Sequence, residues 1–293
     1  MSGALKEVRN RIKSVQSTQQ ITKAMKMVSA AKLRRAQDAI TQMRPYAKKL
    51  QEMLANIVSN SEGDVSMALA VERPVEKVMI IVVTSDRGLC GGYNSNLIKL
   101  AKQTANEKYP AQLAKGNVQI LPIGKKGFEN FSKSKLTVVS DFWDILHGLS
   151  FEKVQAAAQH AMDAFAKGEI DAVELVYSEF KNAATQRFVA EPFLPVQKIA
   201  KTEGQKNADF IYEPDKETLI AELMPKILNT QLFKATLDAN ASEHGARMTA
   251  MDKASDNANE LLKSLKISYN RARQAAITTE LTEIVSGAAA LQG

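Results

Sequence analysis

Apolar residues at both ends of this 293-residue chain recur every three and four positions, over stretches longer than any helix a small domain can bury. In the first segment Leu5, Val8, Ile12 and Val15 hold the spacing of a coiled-coil seam. It slips through Ile21, Met25 and Val28, where polar Gln16, Ser17, Thr18, Gln19, Gln20 and Thr22 crowd the chain, and the seam there is expected to face more than a plain apolar stripe. It resumes as Ala36, Ile40, Met43, Ala47, Leu50, Leu54 and Ile57, with Pro45 expected to bend the helix. At the other end Met251, Ser255, Ala258, Leu262, Leu265, Tyr269, Ala272 and Ala276 alternate in the same way. A second series, Ile277, Leu281, Ile284, Ala288 and Leu291, is shifted by one residue. One helix over residues 215–292, with a kink at Pro225, would be roughly 115 Å long. Only another helix can cover a seam of that length. Because both segments belong to one chain, an antiparallel pair is expected.

The middle of the chain carries a different rhythm. Lys77–Thr84 is a continuous β-branched run, the signature of a strand buried on both faces. Strands are also expected at Val118–Pro122, Leu136–Ser140, Ala172–Phe180 and Arg187–Val196. The last, with Pro192 and Pro195, belongs at a sheet edge. Helices are expected between them: one ending before Pro110, a short one near 124–132, and Phe151–Lys167. The fold class is therefore α/β: an antiparallel coiled coil of the terminal helices plus a central, Rossmann-like, open and mainly parallel sheet. The expected division is a first helix over residues 1–60, an α/β domain over 61–209 and a second helix over 210–293.

Charge narrows the partners. Residues 1–60 hold 12 Lys/Arg against 3 Asp/Glu, whereas 61–214 hold 18 against 19 and 215–293 hold 9 against 10. The net +7 thus resides in the first helix, which calls for an acidic partner there. Residues 1–45 contain no aromatic side chain on which bases could stack, which speaks against nucleic acid. No run approaches the roughly 20 apolar residues of a membrane span. A single cysteine, Cys90, excludes an internal disulfide framework and fits a reducing compartment.

Catalytic constellations are scarce. The loop Thr84–Asn94 follows the first strand, but Gly88, Gly91 and Gly92 match neither dinucleotide nor P-loop spacing. A tight turn needing positive φ is the favoured reading, and phosphate binding the alternative. Gly124-Lys-Lys-Gly127 has the same two readings: a turn capping a helix, or a phosphate site. His147, His160 and His244 lie far apart, none at metal-ligand spacing. Cys90 has no adjacent base, and a small buried thiol is expected. The last ten residues, Ile284–Gly293, carry no charge, which suits insertion into an apolar sleeve better than a solvated tail.

Three segments carry a resemblance. Ile12–Val28 (IKSVQSTQQITKAMKMV), Asp86–Asn94 (DRGLCGGYN) and Tyr269–Ala290 (YNRARQAAITTELTEIVSGAAA) resemble, in order and over the whole chain, the gamma subunits of rotary F-type ATP synthases. The resemblance implies a central rotor shaft that turns inside the hexameric catalytic head and rests on the membrane rotor ring. It couples ion-driven rotation to ATP synthesis or hydrolysis and supplies no catalytic group of its own. The implied partners are the alpha and beta subunits, the epsilon subunit and the ring; no cofactor and no metal are expected. Lys23, Met25 and Lys26 match the place where shaft meets an acidic lever. Arg247, Arg273, Gln274, Thr278 and Glu280 match contacts with catch loops of the catalytic subunits. Tyr212 and Glu213 match the foot on the ring and epsilon, and Ile284, Val285, Ala288 and Leu291 the apolar bearing tip. The chain lacks the cysteine-bearing insertion of plastid members and begins directly with the helix. A bacterial protein, peripheral at the cytoplasmic face of the plasma membrane, is therefore expected.

Overall fold

The computed structural model describes residues 3–59, 69–183, 185–196 and 216–292. Two long helices bracket the chain: α1 over Gly3–Ser59 and, at the far end, α6 over Lys216–Gln292, with Pro45 and Pro225 inside them. Between them lie β1 (Val78–Val83), α2 (Tyr93–Lys108), α3 (Pro110–Ala114), β2 (Val118–Ile123), α4 (Lys125–Phe131), β3 (Thr137–Val138), α5 (Phe151–Ala166), β4 (Ala172–Phe180) and β5 (Gln186–Leu194). The chain divides into two compact units, each described separately below. The first comprises residues up to Ser29 with those from Met248 on; the second is Ala30–Arg247.

In the first unit α1 and α6 pair antiparallel, and side chains fix the register. Gln19 donates to Asn259, the hydroxyls of Thr22 and Ser255 lie 2.7 Å apart, and Lys26 Nζ donates to Asp252 at 2.5 Å. The seam does not slip in the polar stretch. It runs through Val15, Gln19, Thr22 and Ser29, while Ile21 and Val28 stand 58% and 57% exposed on the outside. Polar residues carry the seam because their partners on α6 are polar too. One or two such pairs cost stability but fix register, as a buried polar seam position does in other coiled coils. On α6 the burial follows the expected series through Met251, Ser255, Ala258, Leu262 and Leu265 to half-buried Tyr269, Ala272 and Ala276.

The second unit is built on a five-stranded sheet in the order β3-β2-β1-β4-β5. β1, β2, β3 and β4 run parallel, and β5 joins antiparallel at the edge. Every residue of β1 is buried, since its alternate side chains enter two cores. Met79, Ile81 and Val83 meet α5 and α6 through Val154, Ala161, Phe165, Leu228 and Leu232. Val78, Ile80 and Val82 meet α2 and α4 through Leu97, Ala101 and Phe131 on the other face. Pro192 lies at the register shift where β5 meets Glu174, at the edge as its missing N–H requires. Pro122 is tolerated inside the sheet for a related reason. Ile120, two residues earlier, turns its carbonyl toward Val139, so the nitrogen of Pro122 faces the same side, past the end of β3 at Val138.

Asp238 on α6 is a deeply buried acid, only 2% exposed. Burial pushes its carboxyl from near 3.8 up to about 6, outweighing the opposing pull of Lys234 and Arg44. The folded state therefore binds this proton more tightly than the unfolded chain. Its stability falls as pH rises from about 4 to about 6, and above pH 6 the cost is present in full. Asp238→Asn should gain about 2 kcal/mol at pH 7.5 and almost nothing at pH 4, measured by urea unfolding of the chain. An equal gain at both pH values would mean the carboxylate is not what destabilises.

Candidate functional site

Two sets of residues carry the candidate chemistry, one in each unit. In the α/β unit the set is the loop Thr84–Asn94, which leaves β1 and enters α2. It is cross-braced throughout. Ser85 N–H donates to Asn94 Oδ1 at 3.0 Å, Ser85 Oγ donates to the Arg87 carbonyl at 2.7 Å, and Asn94 Nδ2 reaches Cys90 Sγ at 3.3 Å. Cys90 is buried, and burial pushes its thiol up, away from the nucleophilic thiolate. Positive φ occurs at Gly91 (61°) and at Leu89 (63°), not at Gly88 or Gly92. A leucine in the left-handed region costs about 1–2 kcal/mol, so its surroundings hold it there. Leu89 is also 67% exposed, which leaves an apolar side chain on the loop's tip beside exposed Arg87.

Gly124–Gly127 serves this loop. The N–H of Lys125 donates to Asp86 Oδ1 at 3.1 Å, that of Lys126 to the Ser85 carbonyl at 3.0 Å, and that of Gly127 to Thr84 Oγ1 at 2.9 Å. The donors a phosphate would need at Gly124–Gly127 are thus occupied by the chain itself, which favours the structural reading of that turn.

Arg247 completes the loop from behind. It is 7% exposed, and its Nη2 donates to the carbonyls of Arg87 at 2.9 Å and Gly88 at 3.2 Å. Its Nη1 is bonded to Glu243, one turn earlier on α6. Burial pushes Glu243 up while Arg247 pulls it back. His244 next to it is pushed down to about 4, first by burial and then by the charges of Arg247 and Lys32, so it is neutral near pH 7. His160 instead packs against the Phe142 ring at 5.3 Å, and His147 offers its carbonyl to Lys153. The three histidines therefore occupy separate surroundings.

On the helical pair, Lys23 is exposed, Met25 is half-buried at the seam, and Lys26 is half-buried in its ion pair with Asp252. Arg273, Gln274, Thr278 and Glu280 are all exposed, as are Ile284, Val285 and Ala288; Leu291 lies in the last helical turn. The cross-pairs place residue i of α1 opposite about 277 − i on α6. Carried on, that register sets Leu5 opposite Ala272, and α1 begins at Gly3. From Ile277 through Ala290 every residue is exposed, a run of about 20 Å that faces no other helix among the described residues. Ile277, Leu281, Ile284 and Ala288 form an apolar stripe turned about 100° from the seam, as the one-residue shift in the sequence requires. Tyr212 and Glu213 lie outside the described residues.

The family model described as ATP synthase matches residues 4–291. The chain is 50% identical over 291 residues to the ATP synthase gamma chain of Cytophaga hutchinsonii, covering 98% of this chain and 99% of the relative. It belongs to the ATP synthase gamma chain family. The gamma chain of Flavobacterium johnsoniae is 51% identical over 289 residues, with 99% of each covered. Among solved structures, the central stalk and c-ring of the Tetrahymena thermophila mitochondrial ATP synthase aligns with a TM-score of 0.55 at 25% identity, over 80% of this chain and 99% of that one. A chain of the Euglena gracilis mitochondrial ATP synthase, in a complex of OSCP, F1 and c-ring, gives a TM-score of 0.68 at 20% identity. It spans 99% of this chain and 95% of its own, and carries the fold. Membership in this family accounts for the long terminal helices and the mainly parallel sheet together. Among the described residues no helix is long and apolar enough to cross a membrane.

The Glu243–Arg247 pair with its two loop carbonyls is the feature that sequence reasoning missed. The spacing is visible in the sequence, but i, i+4 acid–base pairs usually lie on solvent-facing helix surfaces. The outer apolar stripe of α1, Ile21, Met27 and Val28, was likewise hidden, because it reads as a damaged seam.

Proposed function

We propose that this chain is the central shaft of an F-type ATP synthase, coupling rotation of an ion-driven ring to ATP synthesis or hydrolysis, without a catalytic group of its own. Its partners in this reading are the alpha and beta subunits of the catalytic head, the epsilon subunit and the membrane ring. It sits at the cytoplasmic face of a bacterial plasma membrane. The observation that carries the reading is the exposed end of α6, with an apolar stripe from Ile277 on that no other described residue covers, in a chain that matches gamma chains from end to end. Apolar surface of that extent on a helix calls for a partner from outside the chain.

The mechanism is differential contact. A shaft whose circumference is uneven in charge and side-chain size meets each catalytic subunit with a different face as it turns. Each face stabilises one conformation over another, and only that difference can shift nucleotide affinity. Lys23, Met25 and Lys26, with the surrounding cations of α1, supply the face for an acidic lever. Arg273, Gln274, Thr278 and Glu280 supply polar contacts for loops of the head, and Ile284, Val285, Ala288 and Leu291 the bearing. Tyr212 and Glu213 contact the ring and epsilon in this reading. Arg247 belongs to the same surface by resemblance, but its buried position points to an indirect role.

Deleting residues from 284 onward tests the bearing. The α/β unit should unfold at the same denaturant concentration as before. ATP-driven proton pumping by the reconstituted complex should fall further than ATP hydrolysis does. Pumping at the wild-type level would remove the bearing role.

A further inference from the structure

We propose that Arg247, backed by Glu243, is a positioning residue that locks the Asp86–Asn94 loop to α6, so that the loop's exposed tip and the helix turn as one body. The proposal rests on the shaft reading for its consequence, and on geometry within the Ala30–Arg247 unit for its cause.

A guanidinium is the group this joint needs. One nitrogen reaches two successive carbonyls, of Arg87 and Gly88, while another holds the Glu243 carboxylate. That planar fork fixes the loop's backbone rather than its side chains, so Arg87 and Leu89 stay free to face outward. The loop cannot relax from its other side either. Asp86 is held by the Lys125 N–H, and Ser85 is bonded both to Asn94 and to the Arg87 carbonyl. The left-handed Leu89 is what such a constraint produces: a conformation an untethered loop would leave.

The helix side of the joint is equally fixed. Tyr93 Oη donates to the Ala239 carbonyl at 2.9 Å, and Ser242 Oγ donates to the Ser178 carbonyl at 3.2 Å. A Cβ at Gly245 would meet the Ala183 carbonyl oxygen at 3.0 Å, so the backbones are close there. About two turns of α6, from Ala239 to Arg247, are thereby held against neighbouring segments, and Arg247 is the last of these pins. A rotor segment that must pass torque between helix and loop without slack needs several such points, because a single hydrogen bond leaves a hinge.

Cys90 makes the lock measurable. It is the chain's lone cysteine, 2% exposed, and lies inside the loop that Arg247 closes. In the full chain under native conditions, a maleimide should label Cys90 about tenfold faster or more in Arg247→Gln than in the wild type, because the loop opens more often. Arg247→Lys keeps the charge but not the fork and should fall between them. Ser242→Ala, which removes a different pin, serves as the control and should leave the rate unchanged even where it lowers stability. In the reconstituted complex Arg247→Gln should pump fewer protons per ATP hydrolysed. Labelling of Arg247→Gln no faster than of the Ser242→Ala control would overturn the lock. Faster labelling with an unchanged pumping ratio would overturn its role in coupling. Failure of the wild-type chain to assemble with a catalytic head would instead sink the shaft reading, and the labelling result would stand apart from it.

Discussion

Gly124→Ala should destabilise the α/β unit by about 4 kcal/mol or more, a large share of the roughly 5–15 kcal/mol that holds a domain folded. Two costs combine. Gly124 has φ of 104° and ψ of 135°, a conformation close to glycine-only, in which a side chain costs about 1–3 kcal/mol. Its Cβ would also lie 2.5 Å from the Thr84 carbonyl oxygen and 2.8 Å from the Thr84 carbonyl carbon. Those are backbone atoms of the chain leaving β1, so no rotamer change relieves the contact. β1 or the start of α4 must move, and Thr84 N–H would lose its 2.7 Å bond to the Ile123 carbonyl. Gly88→Ala is the comparison: its Cβ would meet nothing within 4 Å and its φ is negative, so it should cost less than about 1 kcal/mol. Denaturant unfolding followed by far-UV circular dichroism distinguishes them. Equal losses at the two glycines would refute the steric account.

That contrast also marks what the sequence made legible. Periodicity revealed the terminal helices and the five strands because burial acts on every third or fourth residue of a helix and on whole strands. β1 and the α6 seam fell where that pattern placed them. It failed at Gln19, Thr22 and Ser29, where the seam is made of hydroxyl and amide groups satisfied across the pair, information that lies on α6, more than 220 residues away. It also missed α3, a five-residue helix with no buried residue and hence no periodic signal. The glycines of the Thr84–Asn94 loop were recognisable as a turn, yet the positive φ falls on Leu89 and Gly91, because tethers to Asn94, Lys125 and Arg247 decide the backbone there. The tip of α6 was the most legible part of the candidate site. An apolar, chargeless helix end is unusual in any context, and the residues from Ile284 to Ala290 are exposed.

Glu243→Ala should cost about 3–5 kcal/mol, because it leaves the Arg247 guanidinium buried without its counter-charge. The two carbonyls it still reaches are dipoles and cannot replace a carboxylate in surroundings that exclude water. Burial pushes Glu243 up, so the ion pair itself contributes little net stability. The penalty therefore belongs to the orphaned charge, and the double variant Glu243→Leu with Arg247→Met should recover most of it. Recovery in melting temperature should not bring back the lock, since neither leucine nor methionine can donate to the Arg87 and Gly88 carbonyls. Cys90 labelling of the double variant should stay fast while its stability approaches that of the wild type. If stability and slow labelling returned together, packing at this joint would suffice to hold the loop, and the guanidinium would have no positioning role. The presence of a buried Arg–Glu pair, where an apolar pair would fold as well, is then explained by the loop it holds rather than by the free energy of folding.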